Sequence, residues 1–475
     1  MSAKKVLTIM AALALFAGMT LPAWADPVTI RVVSKDLLST NPDDVRLLKN
    51  YEAAMKAKGT DLHIQIVDLP SAGYSDKLSA MLLAGNIPDL IYFQKGDQKM
   101  AEQGILEDWN KWLPQTTYLK NALYPHNVAR LKNYPYLLYI FPPRVAQPVI
   151  RQDWLAKTGL AAPKTVDDYV ALFQAIKTGD LDGNGKADTF AITMADNTDD
   201  LDAIFNQAFG ISKTWIKQDN GQWINSRISN QEKNKIAFYA SLRAKGLLDP
   251  EYITTKWNVK EDKFYSGQAG IIFANSAENA VVYDGKMRQA APGANPSLIL
   301  LAPPKGPAGQ GLAALDVAKE SRGFAIATTS QHKAEVVKFL DFVASPEGQQ
   351  IEQLGFAGEQ YTKDGDTLKP TEKMGTWYCR FISAANWQPP AQLSVNIKQQ
   401  FLQSLTVNTT LDDTFVWPTD YAEANDSAEN VYRAWIYRFI LGSAKMDQWD
   451  QYVAEWKSAG GEQMTTYARS VLDAK

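Results

Sequence analysis

From Val28 onward the chain alternates segments of two-residue apolar period with segments of helical period, and this alternation restricts it to an α/β fold. The spacing predicts a strand at Val28 to Val33, a helix over 44–58 and a strand at Leu62 to Val67. A second cycle follows. Its helix over 74–84 ends at Gly85, Pro88 and Asp89 introduce the apolar strand Leu90 to Phe93, and a helical turn covers 98–103. Strands that alternate with helices imply a parallel sheet covered on both faces.

A further α/β unit is expected to start near Val149. Pro163 and Lys164 lead into a helix with Thr165 as N-cap and Asp168 three residues on, running to about Lys177. A strand is expected over 190–193, helices over 199–208 and 230–245, and a strand over 269–273. The Pro/Gly-rich stretch 302–311 interrupts the pattern. Beyond it come a strand at Gly323 to Ala327, a helix over 333–344 closed by Ser345 and Pro346, and a mostly helical tail from 391 to 475. No internal repeat or low-complexity tract occurs.

The N-terminus reads as a cleaved secretory signal over residues 1–25: Lys4 and Lys5, an apolar run from Val6 to about Leu21, then Pro22 and the small-residue pattern Ala23-Trp24-Ala25. An uncleaved membrane anchor is the alternative. No cysteine near the cleavage point supports a lipid anchor, and the single cysteine, Cys379, cannot form an internal disulfide. The periplasm of a Gram-negative cell fits these features. Without the signal the chain has 47 basic and 52 acidic residues, a net charge of −5, and nothing in it points to nucleic acid. A mature chain of about 450 residues exceeds one core and predicts two lobes. Its 13 Trp and 20 Tyr supply core, and they are also the side chains on which sugar rings stack.

Residues 180–188 place oxygen-bearing side chains at alternate positions around two glycines, as a calcium loop requires. Asp180, Asp182, Asn184 and Asp188 fit positions 1, 3, 5 and 9 of such a loop, with the Lys186 carbonyl at position 7. Ala191 stands where an EF-hand has its bidentate Glu, and no helix-loop-helix pattern brackets the segment, so it is not an EF-hand. The alternative is a solvated turn of Asp, Asn and Gly.

An enzyme is poorly supported. There is no His-Glu-x-x-His, Gly-x-Ser-x-Gly or P-loop motif, and only His63, His126 and His332 are available. A glycosidase needs only two carboxylates, so a secreted glycoside-active enzyme stands as an alternative.

Residues 74–90, running from Tyr74 through Met81-Leu82-Leu83-Ala84-Gly85-Asn86 to Pro88-Asp89-Leu90, resemble the signature of the extracellular solute-binding proteins of ABC importers. Residues 104–108, 150–160, 163–165, 345–348 and 356–362 resemble further motifs of that family in the same order. The subgroup resembled binds oligosaccharides, alginate oligosaccharides among them, and carries a calcium loop in its C-terminal lobe. There the family often has Glu where this chain has Thr189, which becomes a further candidate ligand.

The resemblance implies two discontinuous lobes that close on a ligand, here an N-lobe of about 26–145 and 310–375 and a C-lobe of about 146–309 and 376–475. It implies a monomer that takes an oligosaccharide, acidic or neutral, to the importer's transmembrane subunits, with calcium as a structural cofactor. A non-sugar solute is the alternative ligand. Trp257 and Trp387 are the first stacking candidates, Trp377 and Tyr378 the next. Arg144 offers a rigid fork of donors to a uronate carboxylate or a hydroxyl pair, and Asn275 and Arg322 sit beside expected strand ends.

Overall fold

The computed structural model describes residues 27–474 except 143, 196, 291–296, 316–321, 389, 391–395, 412–414 and 416. The expected signal lies outside these residues. In chain order the strands are β1 (Val28–Val33), β2 (Leu62–Ile66), β3 (Leu90–Phe93), β4 (Gln147–Arg151) and β5 (Phe190–Ile192). Next come β6 (Trp215–Lys217), β7 (Trp223–Asn225), β8 (Ala269–Ala274), β9 (Leu298–Leu300) and β10 (Leu312–Leu315). The last are β11 (Gly323–Ile326), β12 (Tyr361–Asp364), β13 (Thr367–Pro370) and β14 (Thr409–Leu411).

Two four-stranded sheets carry the architecture, in the orders β11-β3-β1-β2 and β5-β8-β4-β9. The expected all-parallel arrangement is corrected in both. β1 runs parallel to β2 and β3, and β5 parallel to β8. However, β11 is antiparallel to β3, and β4 is antiparallel to both β8 and β9. Both β4 and β11 enter their sheets from the other half of the molecule. They are thus free of the helical crossover that forces neighbouring strands to run parallel.

Local chemistry explains the helices that cover these sheets. Asn41 caps helix Pro42–Ala57 by accepting from the Asp43 amide, and Pro42 sits in the first turn where its missing N–H costs nothing. This helix buries Leu47, Leu48, Tyr51 and Met55. Thr165 and Asp168 form the anticipated capping box at the start of helix Val166–Thr178, which buries Tyr169, Leu172, Phe173 and Ile176. In β3 all four residues are buried, as befits a strand covered on both faces.

Separate cores define the lobes. Residues 30–140 and 324–384 supply the buried N-lobe clusters around Tyr51, Trp109, Phe339 and Phe381. Residues 149–301 and 397–468 supply those of the C-lobe, where Trp435, Trp449, Tyr452 and Trp456 of the helical tail pack. This moves the expected boundaries. Trp377, Phe381, Ile382 and Ala384 belong to the N-lobe core, so the second crossing lies beyond them and not at 376. Strand β10 pairs with β14 of the tail, so residues 312–315 side with the C-lobe.

Candidate ligand site

The carboxyl ends of β1, β3 and β8 point into one cleft of about 470 Å³ that has residues of both lobes on its walls. Ligands of α/β sheets bind at this position, where loops leave the strands and backbone groups are unpaired. The N-lobe contributes Ser34 to Asp36 after β1, Tyr92 and Gln94 at the end of β3, and Arg322 just before β11. Because β11 runs antiparallel to β3, the start of β11 lies beside the end of β3, and Gly323 pairs with Phe93. The C-lobe contributes Trp257, Asn275 and Ser276 after β8, and Asn279 on helix Ala277–Ala290.

Trp257 is 45% exposed although it is among the largest apolar side chains of the chain. Its indole N–H donates to Glu261 at 2.9 Å, and the Lys260 ammonium stands 3.8 Å from a ring centroid. One face of the ring is therefore held while much of its surface stays open. Across the cleft, Tyr139 and Phe141 stack with centroids 4.9 Å apart. Tyr378 lies 3.8 Å from the Arg380 guanidinium, which also donates to the Tyr378 carbonyl and, at 3.0 Å, to Asp44. Rigid aromatic faces held on both walls suit a flat apolar ligand surface.

Polar groups sit between these rings. The Asn279 side chain accepts from the Asn275 amide at 3.0 Å, while the Ser276 hydroxyl accepts from the Asn279 amide at 3.1 Å. Burial pushes the Tyr92 hydroxyl above its ordinary range, and the nearby Arg322 and Arg144 guanidinium groups draw it back in part. Five of the residues singled out in the sequence thus line this cleft together: Arg144, Trp257, Asn275, Arg322 and Tyr378.

Two others are placed elsewhere. Trp377 is 7% exposed, packs edge-on against Phe356 and donates its indole N–H to the Glu352 carbonyl at 2.7 Å. It is an N-lobe core residue. Trp387 is half-buried against N-lobe clusters and does not line the cleft. Conversely, sequence reasoning missed Lys35, Asp36, Tyr92, Tyr139 and Arg380. For Lys35 and Asp36 a usable signal was present, because they directly follow the carboxyl end of the well-marked first strand.

The loop over 180–188 joins helix Val166–Thr178 to β5, and Gly183 and Gly185 both take positive φ there. Asp180 accepts from the Gly185 amide at 2.9 Å, and the Asp182 and Asp188 carboxylates both accept from the Asn184 side-chain amide, at 2.8 and 3.2 Å. The Asn184 side-chain oxygen accepts from the Lys186 amide at 2.8 Å. Among the described residues no group of three or more His, Cys, Asp or Glu converges as a metal cluster. Thr189 is corrected: its hydroxyl is buried and donates to the Ile176 carbonyl at 2.8 Å, which turns it away from the loop.

Two α/β lobes with a ligand-sized cleft at the strand ends define a two-lobed solute-binding fold. Residues 44–350 match the bacterial extracellular solute-binding proteins, and the chain belongs to that family. It is 24% identical over 460 residues to the polygalacturonan/rhamnogalacturonan-binding protein YtcQ of Bacillus subtilis, covering 90% of this chain and 88% of that one. Among solved structures it resembles an EF-hand mutant of the S. pneumoniae ABC-transporter substrate-binding protein FusA in complex with fructo-nystose. The TM-score is 0.69 at 18% identity, over 94% of this chain and 99% of the other. It also resembles the alginate-binding protein AlgQ2 without calcium ion, with a TM-score of 0.65 at 18% identity over 94% and 98% of the two chains. No helix among the described residues is long and apolar enough to cross a membrane.

Proposed function

We propose that this chain is the periplasmic binding protein of an ABC importer, a monomer that captures an oligosaccharide between its lobes and presents it to the importer's transmembrane subunits. The observation that carries this reading is the cleft wall itself. It sets the aromatic faces of Trp257, Tyr139, Phe141 and Tyr378 among planar donors and acceptors from Arg144, Arg322, Asn275, Asn279 and Gln94. A sugar ring needs both types together, an aromatic for its apolar face and planar polar groups for its hydroxyl rim. The names of YtcQ and AlgQ2, and the saccharide bound to FusA, support a saccharide ligand.

The mechanism follows from linkage. A ligand that touches Trp257 on one lobe and Tyr378 on the other binds the closed state better, and only that difference in affinity shifts the equilibrium towards closure. The importer then reads the closed form. No bond in the sugar changes, so the ligand is returned intact, which separates this reading from a glycoside-active enzyme. Calorimetric titration with neutral and acidic oligosaccharides, followed by chromatography of the recovered sugar, tests it. Saturable binding with unchanged sugar is expected, whereas turnover would overturn it.

The loop over 180–188 is read as a structural calcium site of the C-lobe. Its side-chain donors are oxygens, as a hard cation requires, and Asp182 and Asp188 already approach the same Asn184 amide. Asp180, Asp182, Asn184 and Asp188 would hold the ion. Bound calcium supplies the positive charge that lets three carboxylates share one loop.

A further inference from the structure

We propose that Glu261 is a positioning residue for saccharide capture: it fixes the Trp257 indole in its plane and sets the spacing between that ring and the polar groups of the neighbouring helix Ala277–Ala290. This rests on the oligosaccharide reading above and goes beyond it to how the stacking ring is set before a ligand arrives. Trp257 is the first residue of helix Trp257–Tyr265, and the N-cap residue Lys256 makes no side-chain capping bond there. Glu261 stands four positions on, so the two side chains share one face of the helix. It is half-buried and does not line the cleft. One carboxylate oxygen of Glu261, Oε1, accepts from the Trp257 indole N–H at 2.9 Å and from the Tyr283 hydroxyl at 3.1 Å.

The two donors differ in what they need. Tyr283 is fully buried, so its hydroxyl requires an acceptor within the fold. Trp257 is 45% exposed, and water can serve its N–H at little cost. The bond from Trp257 to Glu261 is therefore spare for stability, and what it adds is geometry. The Lys260 ammonium bears on the face of the ring and is itself held by Asp200. A cation over the face resists tilting but leaves an indole free to turn in its own plane, and a hydrogen bond at the N–H edge removes that freedom. Tyr283 also lies one turn after Asn279 on helix Ala277–Ala290, and Asn279 lines the cleft. Through Glu261 the aromatic face of Trp257 is thus referenced to the helix that carries Asn279. A ring already immobilised spares the ligand the cost of ordering it.

The test is calorimetry with oligogalacturonate and with a fructo-oligosaccharide on the mature wild type, E261A, E261Q, W257A and E261A/W257A. For a saccharide that the wild type captures, E261A should weaken binding about two- to ten-fold. E261Q keeps an oxygen that accepts both bonds and should keep most of the affinity. Once Trp257 is gone, E261A should cost nothing further, since the residue acts through that ring. E261A also leaves the buried Tyr283 hydroxyl without its acceptor, so E261A/Y283F is measured beside it and should show the same loss with a melting curve closer to that of the wild type. A second readout needs no ligand: time-resolved fluorescence anisotropy of Trp257, isolated as the difference between each protein and its W257A counterpart. It should show a fast local rotation in E261A that is absent from the wild type and E261Q. Wild-type affinity in both E261A and E261A/Y283F, an equal loss in the W257A background, or an unchanged anisotropy decay would overturn the positioning role. If neither saccharide binds the wild type, the oligosaccharide reading fails by itself, and the anisotropy still decides whether Glu261 holds the ring.

Discussion

The Lys260 ammonium stands 3.8 Å from a ring centroid of Trp257 and at the same time pairs with the buried Asp200 carboxylate at 2.8 Å. A charge tied into the C-lobe thus backs an indole that is otherwise open to the cleft. The contact contributes about 0.5–2 kcal/mol as a cation–π pair and, more usefully, fixes the ring before a ligand arrives.

Trp257→Ala should therefore weaken saccharide binding by about 2 kcal/mol, roughly thirty-fold. Because the side chain is 45% exposed, global stability should hardly change. Calorimetry and a thermal melt on the same sample separate the two effects. A large loss of stability with unchanged affinity would assign Trp257 to packing.

The lobes also touch through bare backbone. A Cβ built on Gly285, in helix Ala277–Ala290, would lie 2.8 Å from the Gly375 carbonyl carbon and oxygen. Alanine at 285 gains about 1 kcal/mol of helix propensity, but overpacking against backbone that cannot rotate aside costs about 1–3 kcal/mol. Gly285→Ala should lower Tm or weaken ligand binding by holding the lobes apart. Wild-type values for both would show that this contact is not constraining.

Glu352 fastens the strap behind Tyr378 to the N-lobe. Its carboxylate accepts from the Ile382 amide at 3.3 Å and from the Tyr51 hydroxyl at 2.5 Å, and burial pushes its pKa above the ordinary glutamate range. For a raised pKa the folded state holds its proton longer than the unfolded chain. The contribution to stability is therefore complete below the ordinary glutamate value and is lost as pH rises through the higher folded value. Glu352→Gln removes this titration. Denaturant melts across that interval should show the wild type losing stability relative to the variant as pH rises, and parallel curves would contradict the assignment.

Calcium binding predicts a stability that depends on the ion. Saturating calcium should raise the stability of the folded state by about 2.7 kcal/mol at a hundred-fold excess over Kd. Asp180→Asn combined with Asp182→Asn should abolish the effect. An unchanged melt with and without chelator, together with no metal by elemental analysis, would show that the loop is only a turn.

Much of this was legible in local pattern. β1 and β3 start and stop where their apolar runs do, and the Thr165 and Asp168 capping box marks the start of its helix. Arg144, Trp257, Asn275 and Arg322 were reachable because they flank helix or strand ends, and such ends gather at the cleft. Trp377 and Trp387 were misleading for a physical reason. Polar neighbours and the adjacent Pro389-Pro390 suggest an exposed loop, but long-range hydrogen bonds carry this segment into the N-lobe. Ser383 N–H donates to the Ile140 carbonyl, Ala384 N–H to the Gln349 side chain and Ala385 N–H to the Ala122 carbonyl. Partners more than thirty positions away leave no mark on local sequence. The antiparallel course of β4 and β11 was hidden likewise, because periodicity reports an element's type and not its direction.

The most direct test of the central claim is a tryptophan-fluorescence titration of the mature protein with the acidic and neutral oligosaccharides, run in parallel on wild type and Trp257→Ala. Capture between the lobes predicts a saturable change for at least one saccharide in the wild type, with much weaker binding in the variant. Absence of any saturable response, or equal affinity in both proteins, would contradict it.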